Sequence, residues 1–259
     1  MLYGERIWKD MQALRERVVV LTLGSLEQHG HHLPLLTDTM IGAEVMRRAA
    51  AELGDTALFL PMLWVGASDH HRAFAGTISL SNETYAQVID DILDSLVSGG
   101  FRRIFLLNAH GGNVTPAHMA MYRVQLRHRD KRDLYVAFAS WWQIAADQVQ
   151  ALAGEEQESV THACELETSM LLRLHPELVR MDEAVGATIA FDSAFYCPDF
   201  SHASRVDVPR AFELLSLSGA FGNPERATPE RGEELFVAAA AEVVAFVREF
   251  ATWPSIRPQ

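Results

Sequence analysis

The sequence predicts an α/β fold built on a parallel sheet covered by helices on both faces. Three observations predict it. Short apolar runs rich in β-branched residues recur along the chain, segments of helical periodicity follow them, and polar clusters sit just past the ends of three runs. Strands that are apolar on every residue must be buried on both faces, which is the condition of a parallel sheet between helical layers.

The elements follow in chain order. "ERVVVLTLG" (16–24) is a β-branched run ending in glycine and reads as a buried strand. Residues 38–53 have helical spacing behind a cap at Asp38 or Thr39. "ALFLPMLWVG" (57–66) reads as a second strand, with Pro61 limiting its ladder. Residues 81–100 form an amphipathic helix with a Ser or Asn cap and a double-glycine stop. "RRIFLLN" (102–108) is a third strand, and 115–129 a helix with proline in its first turn. "DLYVAFASWW" (133–142) is a fourth strand. Residues 160–174 read as helical, and 229–250 as a long closing helix. The stretch 182–227 is rich in Gly, Pro, Ser and Asp and reads as irregular. With no repeat and no linker, residues 1–259 read as one domain.

Composition excludes several functions. Net charge is -12, with 34 acids against 22 bases and no basic block, so no nucleic-acid footprint is expected. No apolar stretch reaches the roughly 20 residues that span a bilayer, so no membrane partner is expected. Two cysteines, Cys164 and Cys197, make no disulfide framework, and the N-terminus lacks a secretory layout; the expected location is cytoplasmic.

In an open parallel sheet, ligands bind beyond the carboxyl ends of the strands. "GSLEQHG" follows the first strand, "GASDHHRAFAGT" (66–77) the second and "NAHGGN" (108–113) the third. These positions bring Glu27, His29, His71 and His110 to one edge. Glu27 and His29 are two apart and point the same way in an extended segment. Asp38, nine residues after His29, is placed to fold back as a bridge. Carboxylate and imidazole together suit Zn²⁺, Mn²⁺ or Fe²⁺. Without thiolates, an open catalytic site is expected over a closed structural one. A fourth cluster, "THACELETS" (161–169), offers His162, Glu165 and Glu167. If the helix already runs at His162, Glu165 shares its face. If His162 lies in the preceding turn, either glutamate faces the site. His31 and His32 read as residues at the mouth of the site or in solvent, and Cys164 as packing.

Taken together, "GSLEQHGHHLPLLTDT", the S-x-x-H-x-x-F-x-G-T pattern in "SDHHRAFAGT", "NAHGGN" and "HACELETS" resemble the creatininase family of metal-dependent amidohydrolases. The resemblance runs from about residue 17 to 180, with "ATPERGEEL" adding to it. It implies a three-layer α-β-α sandwich, two divalent metal ions and a homo-oligomer, often a hexamer, acting on a small-molecule substrate. By motif, Glu27, His29, Asp38 and His110 match metal ligands, with Asp38 bridging. The creatinine-cleaving members carry a ligating glutamate where this chain has Gly112, and Glu167 is the expected replacement, with Glu165 its rival. His162 matches the proton-transfer residue, and Ser68, His71 and Trp142 match substrate-side positions. The second pocket tryptophan of those members is replaced near Glu158. With the lost glutamate, this points to an amide other than creatinine. A lactone, a cyclic keto-sugar or a peptide in a maturation step are the alternative substrates.

Overall fold

In the computed structural model, which describes residues 1–153 and 160–256, four strands and seven helices carry the architecture. Strands β1 (Val18–Leu23), β2 (Ala57–Phe59), β3 (Arg103–Asn108) and β4 (Tyr135–Ser140) pair in parallel throughout, in the order β2-β1-β3-β4. The helices are α1 (Thr37–Leu53), α2 (Asn82–Ser98), α3 (Val114–Arg127), α4 (Trp141–Ile144), α5 (Ala146–Ala153), α6 (Glu165–Leu174) and α7 (Pro229–Phe250).

The pleat divides the core in two. Val18 and Val20 of β1 and Phe105 and Leu107 of β3 face a cluster with Ile41 and Val45 of α1 and Val243 and Val247 of α7. Val19, Leu21, Ile104 and Leu106 point the other way, onto Tyr85, Ile89 and Leu93 of α2 and Ala117, Ala120 and Val124 of α3. Alternate residues of one strand thus feed both helical layers, which is why β1 and β3 are apolar at almost every position. This is the three-layer sandwich the sequence predicts.

The strand order sets where a site can form. From β1 the chain crosses to β2 on one side, then returns to place β3 on the other. The switch point lies between β1 and β3, where the loops leaving their carboxyl ends diverge and open a crevice.

Three boundaries and one element differ from the expected ones. β2 stops at Phe59 rather than continuing to residue 66, and only an isolated bridge at Leu63 returns to β1. β4 ends at Ser140, whose side chain and that of Gln143 form a capping box that starts α4. Helix α5 lies in a segment with no predicted element. α6 begins at Glu165, not at residue 160, because Ala163 takes a left-handed φ of 49° that no helix continues through. Among the described residues, no helix is long and apolar enough to cross a membrane.

One ion-pair cluster locks α1 to α7. Glu44, only 8% exposed, accepts from Arg47 at 2.6 and 2.7 Å and from Arg48 at 2.7 Å, and Arg48 forks onto Glu233 at 2.7 and 2.8 Å. The bonds from Arg47 first, against the opposing effect of burial, and then those from Arg48 hold the Glu44 carboxyl down at about 2. A carboxyl depressed in the folded state stabilises it above the unfolded value of about 4.3 and loses that contribution as pH falls towards 2. Glu44→Gln is therefore expected to cost about 1–2 kcal/mol at pH 7, a Tm drop of roughly 2–8 °C. Melting curves should show the gap closing between about pH 4.5 and 2; a gap constant over that range would refute the pairing.

Candidate metal centre

Three strand ends converge on one cluster of buried acids and imidazoles. β1 runs into Gly24, where an added Cβ would collide with Thr39 Oγ1 and lie 2.7 Å from Met62 Cε. Only glycine lets the β1 end approach the start of α1 this closely. That approach brings Asp38, on the first turn of α1, back against the Glu27–His29 segment. Ser25 reinforces it by donating to Asp38 Oδ2 at 2.7 Å. Asn113 ties the loops together: its Oδ1 accepts from Ala67 N at 3.0 Å, and its Nδ2 donates to Gly24 O at 3.0 Å. One amide thus joins the loops after β1, β2 and β3. Asn108 shapes the third loop, accepting from His110 N at 3.2 Å and donating to His110 O at 2.7 Å.

The side chains meet around shared points. Asp38 Oδ1 lies 3.0 Å from His29 Nε2, and Asp38 Oδ2 lies 3.0 Å from His110 Nδ1. Glu27 Oε1 lies 3.2 Å from His110 Nδ1, 3.2 Å from His71 Nε2 and 3.9 Å from His162 Nδ1. Neither Glu27 oxygen has an aligned hydrogen-bond partner among the described residues, although Glu27 is fully buried. Ligand-type atoms within 4.8 Å of one another form three groups: Glu27, Asp38 and His110; His29, His162 and Glu167; and Glu27, His71 and His162.

Electrostatics sharpen the picture. Glu27, Asp38 and Glu167 are buried together, and among the described residues no Lys or Arg is paired with them. Burial opposes charge on His29, but Asp38 beside it overcomes this and lifts the imidazole to about 9. His110 is likewise raised, against burial, by Glu27 and Asp38. Burial pushes Glu167 up to about 8. Glu27 and Asp38 thus draw protons onto His29 and His110, and Glu167 holds its own, to offset charge that water cannot screen. Carboxylate and imidazole atoms aimed at common points, with both Glu27 oxygens lacking an aligned partner, are what a divalent cation would satisfy. All the donors are oxygen or imidazole nitrogen, a set that fits Zn²⁺, Mn²⁺ or Fe²⁺.

Two of the histidines have tautomers assigned by their partners. His162 Nε2 lies 2.9 Å from Gln28 O, which can only accept, and 3.0 Å from Gln28 Nε2; with the two Gln28 Nε2 hydrogens directed to Gly219 O and His71 Nδ1, His162 Nε2 carries the hydrogen and Nδ1 faces the cluster with a lone pair. Gln28 Nε2 donates to Gly219 O at 3.0 Å and to His71 Nδ1 at 2.8 Å, so the His71 hydrogen sits on Nε2, towards Glu27. Burial and the neighbouring His29 hold His162 down at about 3, an imidazole that rests neutral.

Above the cluster opens a cavity of about 860 Å³, with Asp38, His110, His162 and Glu167 in its lining and Trp142 in its wall. Of the two glutamates left open by the sequence, Glu167 joins His29 and His162, while Glu165 turns away and accepts from Asn223 N at 3.1 Å. The left-handed turn at Ala163 decides this. It puts His162 ahead of the helix, and Ala163 N donates to Glu167 Oε2 at 2.6 Å. Ser68, expected on the substrate side, is fully buried behind His110, its hydroxyl 3.3 Å from Nε2. His71 and Trp142 line the cavity. His32, expected at the mouth or in solvent, is 1% exposed and bonds Thr168 Oγ1 at 3.0 Å. Cys164 is buried, with its thiol pushed up to about 12, and belongs to the core. The substitution near Glu158 lies outside the described residues. Gln28 and Asn113 stand beside candidate ligands but give no local sign of a role, because their partners are up to 191 residues away.

Comparisons with known proteins point one way. A family model described as creatininase, creatinine amidohydrolase, matches residues 4–247. The creatinine amidohydrolase of Pseudomonas putida is 32% identical over 198 residues, 70% of this chain and 75% of that protein. A mycofactocin precursor peptide peptidase of Mycobacterium tuberculosis is 32% identical over 243 residues, 91% of this chain and 85% of that protein. Among solved structures, a manganese creatininase superposes with a TM-score of 0.80 at 28% identity, covering 96% of this chain and 97% of that one. A related creatininase structure is of a Zn-Zn type.

Proposed function

The chain belongs to the creatininase family of metal-dependent hydrolases, and from that premise we propose that it hydrolyses a C–N bond of a small or cyclic amide at a centre of two divalent ions. The division of Asp38 carries this reading: one oxygen reaches His29 and the other His110, so a single carboxylate would bridge two ions. Glu27 and His110 would complete one ion's ligands, and His29 and Glu167 those of the other. Zn²⁺ or Mn²⁺ fits this set, with Fe²⁺ also accommodated.

Such a pair, when bound, lowers the pKa of water towards about 7 and polarises a carbonyl. The chain's own residues supply the rest. His162, neutral and anchored through Nε2–H to Gln28 O, presents Nδ1 to accept the proton of the attacking water and return it to the leaving nitrogen. General acid–base help of this kind is worth about 10²–10⁴ in rate. Gln28 holds both His71 and His162 in register, and Trp142 offers an apolar wall to the substrate. Ser68 supports His110 from behind. Gly112 offers no side chain where the creatinine-cleaving members carry a ligand, so the substrate is an amide other than creatinine. A short peptide is the second reading. The roomy cavity and the longer match to the peptide peptidase favour it. The proposal extends to a cytoplasmic homo-oligomer of the hexameric kind.

Plasma-emission analysis of purified protein should find about two transition-metal ions per chain, and metal-depleted protein should regain amide hydrolysis with Zn²⁺ or Mn²⁺. Lactams, formamides, short peptides and lactones are the panel to screen. Protein that holds no such metal and gains no activity on adding it would count decisively against the proposal.

A further inference from the structure

We propose that Arg210 reads an anionic group on the substrate, so that the site takes amides carrying a carboxylate or phosphate at the end away from the scissile bond. The inference rests on the amide-hydrolase reading above.

The argument starts from the wall. Residues 208–212 run along the cavity one after another, and all five line it. Phe212 anchors this run on the metal cluster. Its ring sits 4.1 Å from His71, 5.0 Å from His162 and 5.3 Å from His70, with Phe200 stacked behind it at 5.9 Å. Ala211 between them is extended, with φ -73° and ψ 142°. Backbone of this kind keeps Cα atoms two residues apart about 6–7 Å from one another. Arg210 and Phe212 both line the cavity, so Arg210 stands about one small-molecule length from the imidazoles that Phe212 touches.

Arg210 is also uncommitted. Among the described residues it is the sole Lys or Arg that lines the cavity, and it carries no ion pair or hydrogen bond. The one exposed acid in the lining, Asp69, is taken by Arg72 at 2.9 Å. The two other nearby arginine positions tell the same story by contrast: Arg205 lies over the Phe195 ring at 4.7 Å, and Arg72 is paired. In a chain of net charge -12, an unpaired guanidinium at a cavity rim has no internal partner to neutralise it. A planar guanidinium offers forked donors that match carboxylate and phosphate. The floor of the cavity holds acids that would be saturated by metal, so the rim is where a substrate anion finds fixed positive charge.

The test compares matched probes on the metal-loaded protein by isothermal titration. Succinamate carries an amide and a carboxylate, 3-phosphonopropionamide an amide and a phosphonate, and succinamide is the neutral counterpart. Wild type should bind at least one anion about tenfold more tightly than succinamide, and Arg210→Ala should bind all three alike, with Arg210→Lys keeping part of the preference. Whichever anion is preferred identifies the source as carboxylate-like or phosphate-like. Equal binding by wild type, absence of binding, or a preference that survives in Arg210→Ala would overturn the inference. Wild-type hydrolysis of the same amides, followed in parallel, keeps the two readings apart. Turnover without anion preference defeats this inference alone. An Arg210-dependent preference without any turnover defeats only the hydrolase reading.

Discussion

Asp38→Asn is expected to lower kcat/KM by at least about 10³-fold, roughly 4 kcal/mol of transition-state stabilisation, while the fold survives. Asparagine keeps the shape of the side chain but offers one oxygen in place of two. Asp38 divides its oxygens between His29 and His110, each at 3.0 Å, and no neighbouring carboxylate reaches both imidazoles in the same way. The variant should therefore hold at most one tightly bound ion per chain, measured by plasma emission alongside rate. Ser25 Oγ, 2.7 Å from Asp38 Oδ2, still finds a partner in the amide, so circular dichroism and melting should show a native fold. Two retained ions with full turnover would remove the basis for a bridged pair.

The second large effect concerns a substitution that looks like a repair. Gly112→Glu would reinstate the glutamate found at this position in creatinine-cleaving members, yet it is expected to lose rather than gain activity. A Cβ at residue 112 would run into Ala67 O, lie 2.5 Å from His110 Nε2 and 2.7 Å from His70 Cε1. The carbonyl is held in place, because Ser68 N of the same peptide unit donates to Ser79 Oγ at 2.7 Å. Relief must come from a shift of the 110–112 backbone, which carries His110 with it, and a displaced His110 is expected to cost metal. Overpacking of this kind costs about 1–3 kcal/mol, a Tm drop of roughly 2–12 °C in a chain of this size. Turnover should fall by about 10² or more as His110 leaves its place. Gly112→Ala should move both measurements the same way, because the obstruction begins at Cβ. A Gly112→Glu variant with raised activity or an additional bound ion would show that the lost ligand is merely absent and not excluded.

These expectations show what was legible in the chain. β1 and β3 could be read because both faces are buried, which leaves an uninterrupted apolar signature. The starts of α2 and α7 could be read because Ser81 accepts from Thr84 N and Thr228 from Arg231 N, both local bonds. Glu27, His29, Asp38 and His110 stood out because acids and imidazoles gathered just past buried strands have no packing role. The beginning of α6 was hidden, since the left-handed turn at Ala163 comes from the tertiary setting and not from a turn-forming residue. The "SWWQ" capping box that ends β4 was visible but outweighed by its apolar tryptophans. Ser68 could not be told from a substrate contact, because spacing places it near His110 but says nothing about which side of the ring it takes.

Asn113 and the 208–212 wall belong to different parts of the chain and share no bond. The proposed ligands are thus held by the scaffold, whereas the proposed anion contact sits on a segment far along the chain. A lineage built this way can exchange one clientele for another by rewriting that segment, with its chemistry intact throughout. Divergence among homologues that process peptides or creatinine becomes a matter of upholstery on a common frame.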